Sequence, residues 1–296
     1  MVVNEKCRIK SLKKAEDPRC GATICGTRAV AGWVDQGIVI DTSMKYDEAI
    51  QGCCDDCYFI AALSSVAWCA PQELSIYPKY YFNGVETTLK TRNRPVDADG
   101  KPIFAQIPPS GEIWALLYEV AYAKWRGGNV SDQPDIGSSI GGGINGGGSG
   151  FQALKEITGW TRPANAEFTE SQTTDQIWDK IQWVNLSLQL GRYETYRTQY
   201  PSFAETKSTL SGITGIYRDH TYSLFGKIYD RTTRAKYIVL RNPLAGQAPQ
   251  PDANTLQVGH LNFFGVILDP MIKKGAFAIE IGTFKEYFAR YGSVTP

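Results

Sequence analysis

A chain of 296 residues, 43% of them hydrophobic, can bury a substantial core as one large domain or two small ones. Its formal net charge of +1, with no block of like charge, argues against nucleic acid as the main partner. There is no run of about 18 apolar residues to span a bilayer, and the N-terminal stretch lacks the apolar core of a signal peptide, so a soluble, cytoplasmic protein without a membrane partner is expected.

The seven cysteines are an odd number, and Cys53, Cys54 and Cys57 fall within five positions, which argues against a disulfide framework. Cys20 and Cys25 could form a bridge or half of a metal site, but no second ligand cluster accompanies them. The Cys53, Cys54, Cys57 group likewise lacks the histidines that a zinc site of that kind would draw on.

The first informative element is Gln51-Gly-Cys-Cys-Asp-Asp-Cys57-Tyr-Phe-Ile-Ala-Ala-Leu-Ser-Ser, which sets a cysteine at the predicted start of an apolar helix. Ile60, Ala61, Leu63, Ser64, Val66, Ala67 and Trp68 give that helix a dense small-and-apolar face, as in a central buried helix. A helix start lowers a thiol pKa through the positive end of the macrodipole and the unsatisfied N–H groups of the first turn. Asp55 or Asp56 is expected to cap it. Two readings of Cys57 stand open here: an activated nucleophile, or a small hydrophobe that begins a core helix.

Further along, Gly141 to Gly150 carries seven glycines in ten residues. A phosphate-binding loop would need a following Lys-Ser or Lys-Thr, which is absent, and a flexible linker is the plain alternative. This run and the stretch Gly159-Trp160-Thr-Arg-Pro163 mark the expected joint between two blocks, by their turn-forming composition.

A thiol nucleophile needs a base, and the chain has two histidines. His220 opens an alternating segment running to Tyr229, and Lys236 to Arg241 follows across a polar turn, so the pair is predicted to form a hairpin. Asn242 then falls at the end of the second strand, where it can neighbour His220. An asparagine oxygen that accepts from one imidazole nitrogen fixes the ring for the thiol, the Cys-His-Asn form of the triad. Gln51 would supply a side-chain N–H to the developing oxyanion, together with the backbone N–H of Cys57. His260 has no such setting and reads as structural or surface. Helices first and strands afterwards argue for an α+β fold, with a second hairpin predicted from Phe263 to Ile281.

These segments together resemble the protease core of the calpain family. Gln51-Gly-x-x-x-Asp56-Cys57 resembles its catalytic-cysteine motif, and Glu112 to Lys124 closely resembles a helix of the same core. Ala31-Gly-Trp33-Val, Asn93 to Phe104, Phe151-Gln-Ala-Leu154 with Ile157-Thr-Gly159, His220-x-Tyr-Ser, Leu240-Arg-Asn242-Pro243 and Gly275 to Phe288 follow the family's order. The resemblance runs over nearly everything from Trp33 onward. It departs at Tyr58 and Leu244, where the family has tryptophan, and at Asp219, where it has glycine before the histidine.

The resemblance implies a papain-like core of two lobes facing across a cleft: residues 1–160, mostly helical with the cysteine, and residues 161–296, an antiparallel-sheet lobe with the histidine and asparagine. It implies cysteine endopeptidase activity on a peptide or amide substrate through Cys57, His220, Asn242 and Gln51. Gly147 and Gly148 would expose backbone for an extended peptide to pair with; Tyr58 and Asp219 would also bind substrate, Tyr58 keeping an aromatic while Leu244 and Asp219 alter the walls of the site. Glu48 and Glu119 fall where calpain cores place carboxylates of a calcium site, although two glutamates also read as surface or salt-bridge residues and calcium needs six to eight oxygens. No cofactor is required by this chemistry. The same triad also serves acyl transfer, ligation or cyclisation of a specific small substrate, and a non-catalytic binding module of the same fold is a further alternative. Narrow specificity is expected from the altered walls.

Overall fold

The computed structural model describes residues 30–35, 43–128, 131–134, 144, 146–165, 171–181, 188–209, 216–245, 255–256, 261–268 and 275–296. His260, Cys20, Cys25 and positions 141–143 and 145 of the glycine run lie outside these. In chain order the elements begin with β1 (Gly32–Asp35), α1 (Cys57–Cys69), β2 (Lys79–Phe82), β3 (Val85–Thr88), β4 (Asn93–Val96), α2 (Trp114–Arg126) and α3 (Gly150–Thr158). There follow β5 (Arg162–Asn165), α4 (Thr174–Lys180), β6 (Leu188–Leu190), β7 (Tyr193–Arg197), β8 (Ser202–Thr206), β9 (Thr221–Asp230) and β10 (Lys236–Arg241). The chain closes with β11 (Leu261–Phe263), β12 (Val266–Leu268), β13 (Ala276–Glu280), α5 (Ile281–Tyr287) and β14 (Phe288–Thr295).

Helix α1 has no charged residue, and Tyr58 through Trp68 are all buried, so it is enclosed on every side. Its apolar residues pack with α2 and α3 into one core cluster, in which Phe59 stacks on Tyr122 with ring centroids 3.9 Å apart. Two of its polar side chains, Ser65 and Trp68, turn to the large sheet and are satisfied there. Ser65 Oγ donates to Ser202 O at 2.8 Å and accepts from Ser202 N–H at 2.7 Å, and Trp68 Nε1–H donates to Phe225 O at 3.0 Å. In the other direction Ser223 Oγ donates to Ala61 O at 2.7 Å.

The large sheet is antiparallel, in the order β13-β10-β9-β8-β14-β5, with β7 added beside β9 and β6 beside β7. Its two faces follow the two-residue period of a strand. Leu224, Ile238, Leu240, Phe277 and Ile279 lie on one face under α4 and α5, while Phe225, Val239, Ala276 and Ala278 lie on the other with Trp68 and the small β11–β12 hairpin.

The architecture is thus mixed, with five α-helices and antiparallel sheets among the described residues, compatible with an α+β fold. The predicted pairing of the His220 and Asn242 segments is present: β9 and β10 run antiparallel with Tyr229 opposite Lys236 and Ser223 opposite Arg241. The expected hairpin from Phe263 to Ile281 is not. Instead β11 and β12 close a short hairpin of their own, and β13 joins the sheet edge at β10. The early part of the chain also holds two small two-stranded sheets, β1–β4 and β2–β3. The second turns at Asn83-Gly84, both with positive φ, the geometry a tight hairpin favours. No helix among the described residues is long and apolar enough to cross a membrane.

Candidate active site

Cys57 opens α1, is partly exposed, and lines a cleft of about 590 Å³. The same cleft is lined by Gln51, Gly147, Gly148, Asp219 and His220. The other thiols described differ in setting. Burial pushes Cys54 well above the ordinary thiol range and Cys69 up to about 12, so both remain protonated at neutral pH.

His220 stands at the start of β9 and Asn242 directly after β10, so the strand register brings the two side chains together. Asn242 Oδ1 lies 2.9 Å from His220 Nε2 and 3.0 Å from the backbone N of Leu244. A backbone N–H can only donate, so the atom facing it is the amide oxygen; the imidazole nitrogen facing the same oxygen must then carry a proton. This assigns the Nε2–H tautomer and leaves Nδ1 as the basic nitrogen. Asn242 is fully buried, and His220 is nearly so. Tyr222 and Tyr217 meet the His220 ring edge-on at centroid distances of 5.0 Å and 5.6 Å, and Tyr222 OH accepts from Tyr217 N–H at 2.9 Å. These two rings flank the imidazole. Strand alternation places Tyr222 on the face of His220, but gives no sign of Tyr217, which precedes the strand.

The segment bearing Gln51 is fixed by backbone contacts to both halves of the chain. Gln51 N–H donates to Pro243 O at 2.9 Å, Cys53 N–H donates to Ile103 O at 2.9 Å, and Gln106 Nε2–H donates to Gln51 O at 2.9 Å. Gly52 runs so close to residues 103–104 that a Cβ would lie 1.9 Å from Phe104 O. The Gln51 side chain donates one Nε2–H to Cys54 O at 2.7 Å, which orients the amide beside the cleft. Arg241, completely buried, adds a second tie: its guanidinium donates to Ala49 O at 2.9 Å and to Ser64 Oγ at 3.1 Å. The strand that ends at Asn242 is thereby locked to the segment before Gln51 and to α1.

The glycine segment forms the wall of the cleft beside α1. Gly147 N–H donates to Asp55 O at 2.8 Å, and Tyr58 OH donates to Ile144 O at 3.3 Å. A Cβ on Gly148 would lie 2.7 Å from the Tyr58 ring, so this wall can approach α1 only without a side chain. Asp219 lines the cleft with an exposed side chain and a left-handed backbone, φ 48°.

The expected side-chain cap of α1 is absent. Asp56 occupies the N-cap position but makes no cap hydrogen bond. It is wholly buried and lies beside Glu119 of α2. Burial first, then the charge of Asp56 beside it, pushes the Glu119 carboxyl well above the ordinary carboxylate range. Glu119 also accepts from Ala105 N–H at 2.6 Å. Glu48 takes a different set of donors: Lys45 N–H at 3.0 Å, Trp114 Nε1–H at 2.8 Å and Ser110 Oγ–H at 3.3 Å. The two carboxylates thus take separate sets of donors. Among the described residues no three His, Cys, Asp or Glu side chains gather as metal ligands.

No protein-family model matches the chain. It is similar to a protein of Porphyromonas gingivalis (strain ATCC BAA-308 / W83) named "Thiol protease", with 26% identity over 277 residues, covering 82% of this chain and 53% of that protein. The chain thus spans about half the length of the curated relative it matches.

Proposed function

We propose that the chain is a calpain-like cysteine endopeptidase that hydrolyses amide bonds through Cys57, His220 and Asn242. The observation that carries this reading is the buried His220–Asn242 hydrogen bond, with its tautomer set by Leu244 N–H, on the wall of the cleft that Cys57 lines. His220 Nδ1 takes the thiol proton, the Cys57 sulfur attacks the amide carbonyl, and the imidazolium returns the proton to the leaving amine. Gln51 Nε2 and the Cys57 N–H receive the oxyanion. Water, activated by His220, then releases the acyl group from the thioester. In this reading residues 1–160 and 161–296 are the two lobes flanking the cleft, and Gly147 and Gly148 offer backbone to an extended peptide. Asp219 and Leu244, both on the cleft wall, narrow its specificity. Supporting the reading beside the geometry is the likeness to a thiol protease.

The test compares wild type with Cys57→Ala on a peptide library, together with labelling by a peptidyl epoxide. Wild type is expected to cleave a narrow set of peptides and to be labelled at Cys57, and the variant is expected to do neither while keeping its melting temperature. Unchanged cleavage by the variant, or labelling at Cys53 or Cys54, would sink the assignment. Amide products formed in preference to acids when amines are added would replace hydrolysis by acyl transfer.

A further inference from the structure

Helix α3 begins directly behind the glycine wall, and its own sequence does not cap it: Ser149, at the N-cap position, makes no side-chain hydrogen bond to the first turn. A helix start exposes N–H groups that must be satisfied elsewhere. Here Gly150 N–H donates at 2.8 Å to Glu205 Oε1, a side chain from β8 of the large sheet. The other oxygen of Glu205 pairs with Arg290 at 2.5 Å, the residue directly opposite on β14. On its other flank Glu205 sits opposite Thr221, the residue that follows His220. Glu205 is nearly buried, yet it lines the same cleft as Cys57 and His220. Its charge also meets the positive end of α3, which favours a carboxylate at that spot.

The other ties of the glycine wall, from Asp55 O to Gly147 N and from Tyr58 OH to Ile144 O, run to the nucleophile's side of the cleft. Glu205 runs to the histidine's side. We propose that Glu205 is a positioning residue: by capping α3 from the sheet it fixes the spacing between the glycine wall and the Cys57–His220 pair, and so sets the affinity for an extended peptide. This rests on the peptidase reading above. A carboxylate here touches no reacting atom, so its loss should weaken peptide binding and leave the intrinsic reactivity of the thiol in place.

The experiment follows inactivation of Cys57 by a dipeptidyl epoxide, which uses the wall, and by iodoacetamide, which is too small to need it. Glu205→Leu is expected to raise the epoxide's half-saturation concentration about tenfold or more, with the limiting inactivation rate and the iodoacetamide rate within about twofold of wild type. Glu205→Gln, which keeps an acceptor for Gly150 N–H, should recover most of that affinity. Glu205→Asp withdraws the carboxylate by one methylene and should fall between the two; it replaces Glu205→Leu as the deciding variant if the latter does not fold by thermal melting. Wild-type affinity in the deciding variant, or an iodoacetamide rate that falls in step with it, overturns this inference alone. Absence of Cys57 labelling in the wild type by either reagent overturns the inference and the peptidase reading together.

Discussion

Gln51 Nε2 carries two protons, and one is committed to Cys54 O at 2.7 Å. In the proposed peptidase the second would serve the oxyanion, while Gln51 Oε1 is buried without a hydrogen-bond partner among the described residues. A donor that meets charge only as the carbonyl becomes tetrahedral acts on the chemical step. Gln51→Ala is therefore expected to lower kcat by about 10² to 10³ and to leave KM within a few-fold. Steady-state kinetics on one cleaved peptide reads the split; a raised KM at unchanged kcat would assign Gln51 to ground-state binding. At this scale the sequence spoke through scarcity. With two histidines in the chain, His220 and its neighbour Asn242 stood out by type and by strand end. The destination of Asp56 did not, because an aspartate before a helix reads locally as a cap. Its burial against Glu119 depends on how α1 and α2 meet.

Helix α1 carries its contacts to the sheet mainly as hydroxyl-to-backbone bonds, and Ser65 is the densest of them, both donating to and accepting from Ser202. Replacing it by alanine strands a buried N–H and a buried C=O at the edge where α1 lies against β8. Ser65→Ala is expected to cost roughly 1–3 kcal/mol, read as a lowered melting temperature and denaturant midpoint. The activity per folded molecule should persist, because Ser223 and Trp68 still tie α1 to β9. Loss of activity without loss of stability would show that the helix position itself responds to this bond. Elements of regular period were legible before the fold was known. The β9–β10 pairing followed from alternation and a polar turn, and α1 from its unbroken apolar run. The small sheets and the late β11–β12 hairpin were not, since strands of three or four residues offer too few alternations to count. The ties that assemble the cleft, such as Gln51 to Pro243 and Arg241 to Ala49, join backbone groups far apart in the chain and leave no local pattern.

Across the whole molecule, stability carries a pH dependence that the cleft does not set. Lys227, on β9, is buried under α4, with its Nζ donating to Trp178 O and lying 4.5 Å from the centroid of the Trp178 ring. Burial lowers its pKa from 10.5 to about 7, partly opposed by Asp179. Between those values the unfolded chain holds a proton that the folded chain has released, so stability rises as pH climbs from about 7 and this contribution is lost as pH falls back. At about 1.4 kcal/mol per pKa unit, the span from pH 7 to pH 9 is worth up to roughly 3 kcal/mol. Lys227→Met should therefore gain on wild type in melting temperature more at pH 6 than at pH 9. An equal difference at both values would show that Lys227 titrates as an ordinary lysine. Arg241 reaches back 192 positions to Ala49, and Asn242 and Pro243 come at the end of the same strand. Synthesis runs from the N-terminus, so Gln51 and Cys57 leave the ribosome long before His220 and Asn242. In the proposed peptidase the thiol would thus emerge without its base, and hydrolytic competence would follow only once the late strands have paired.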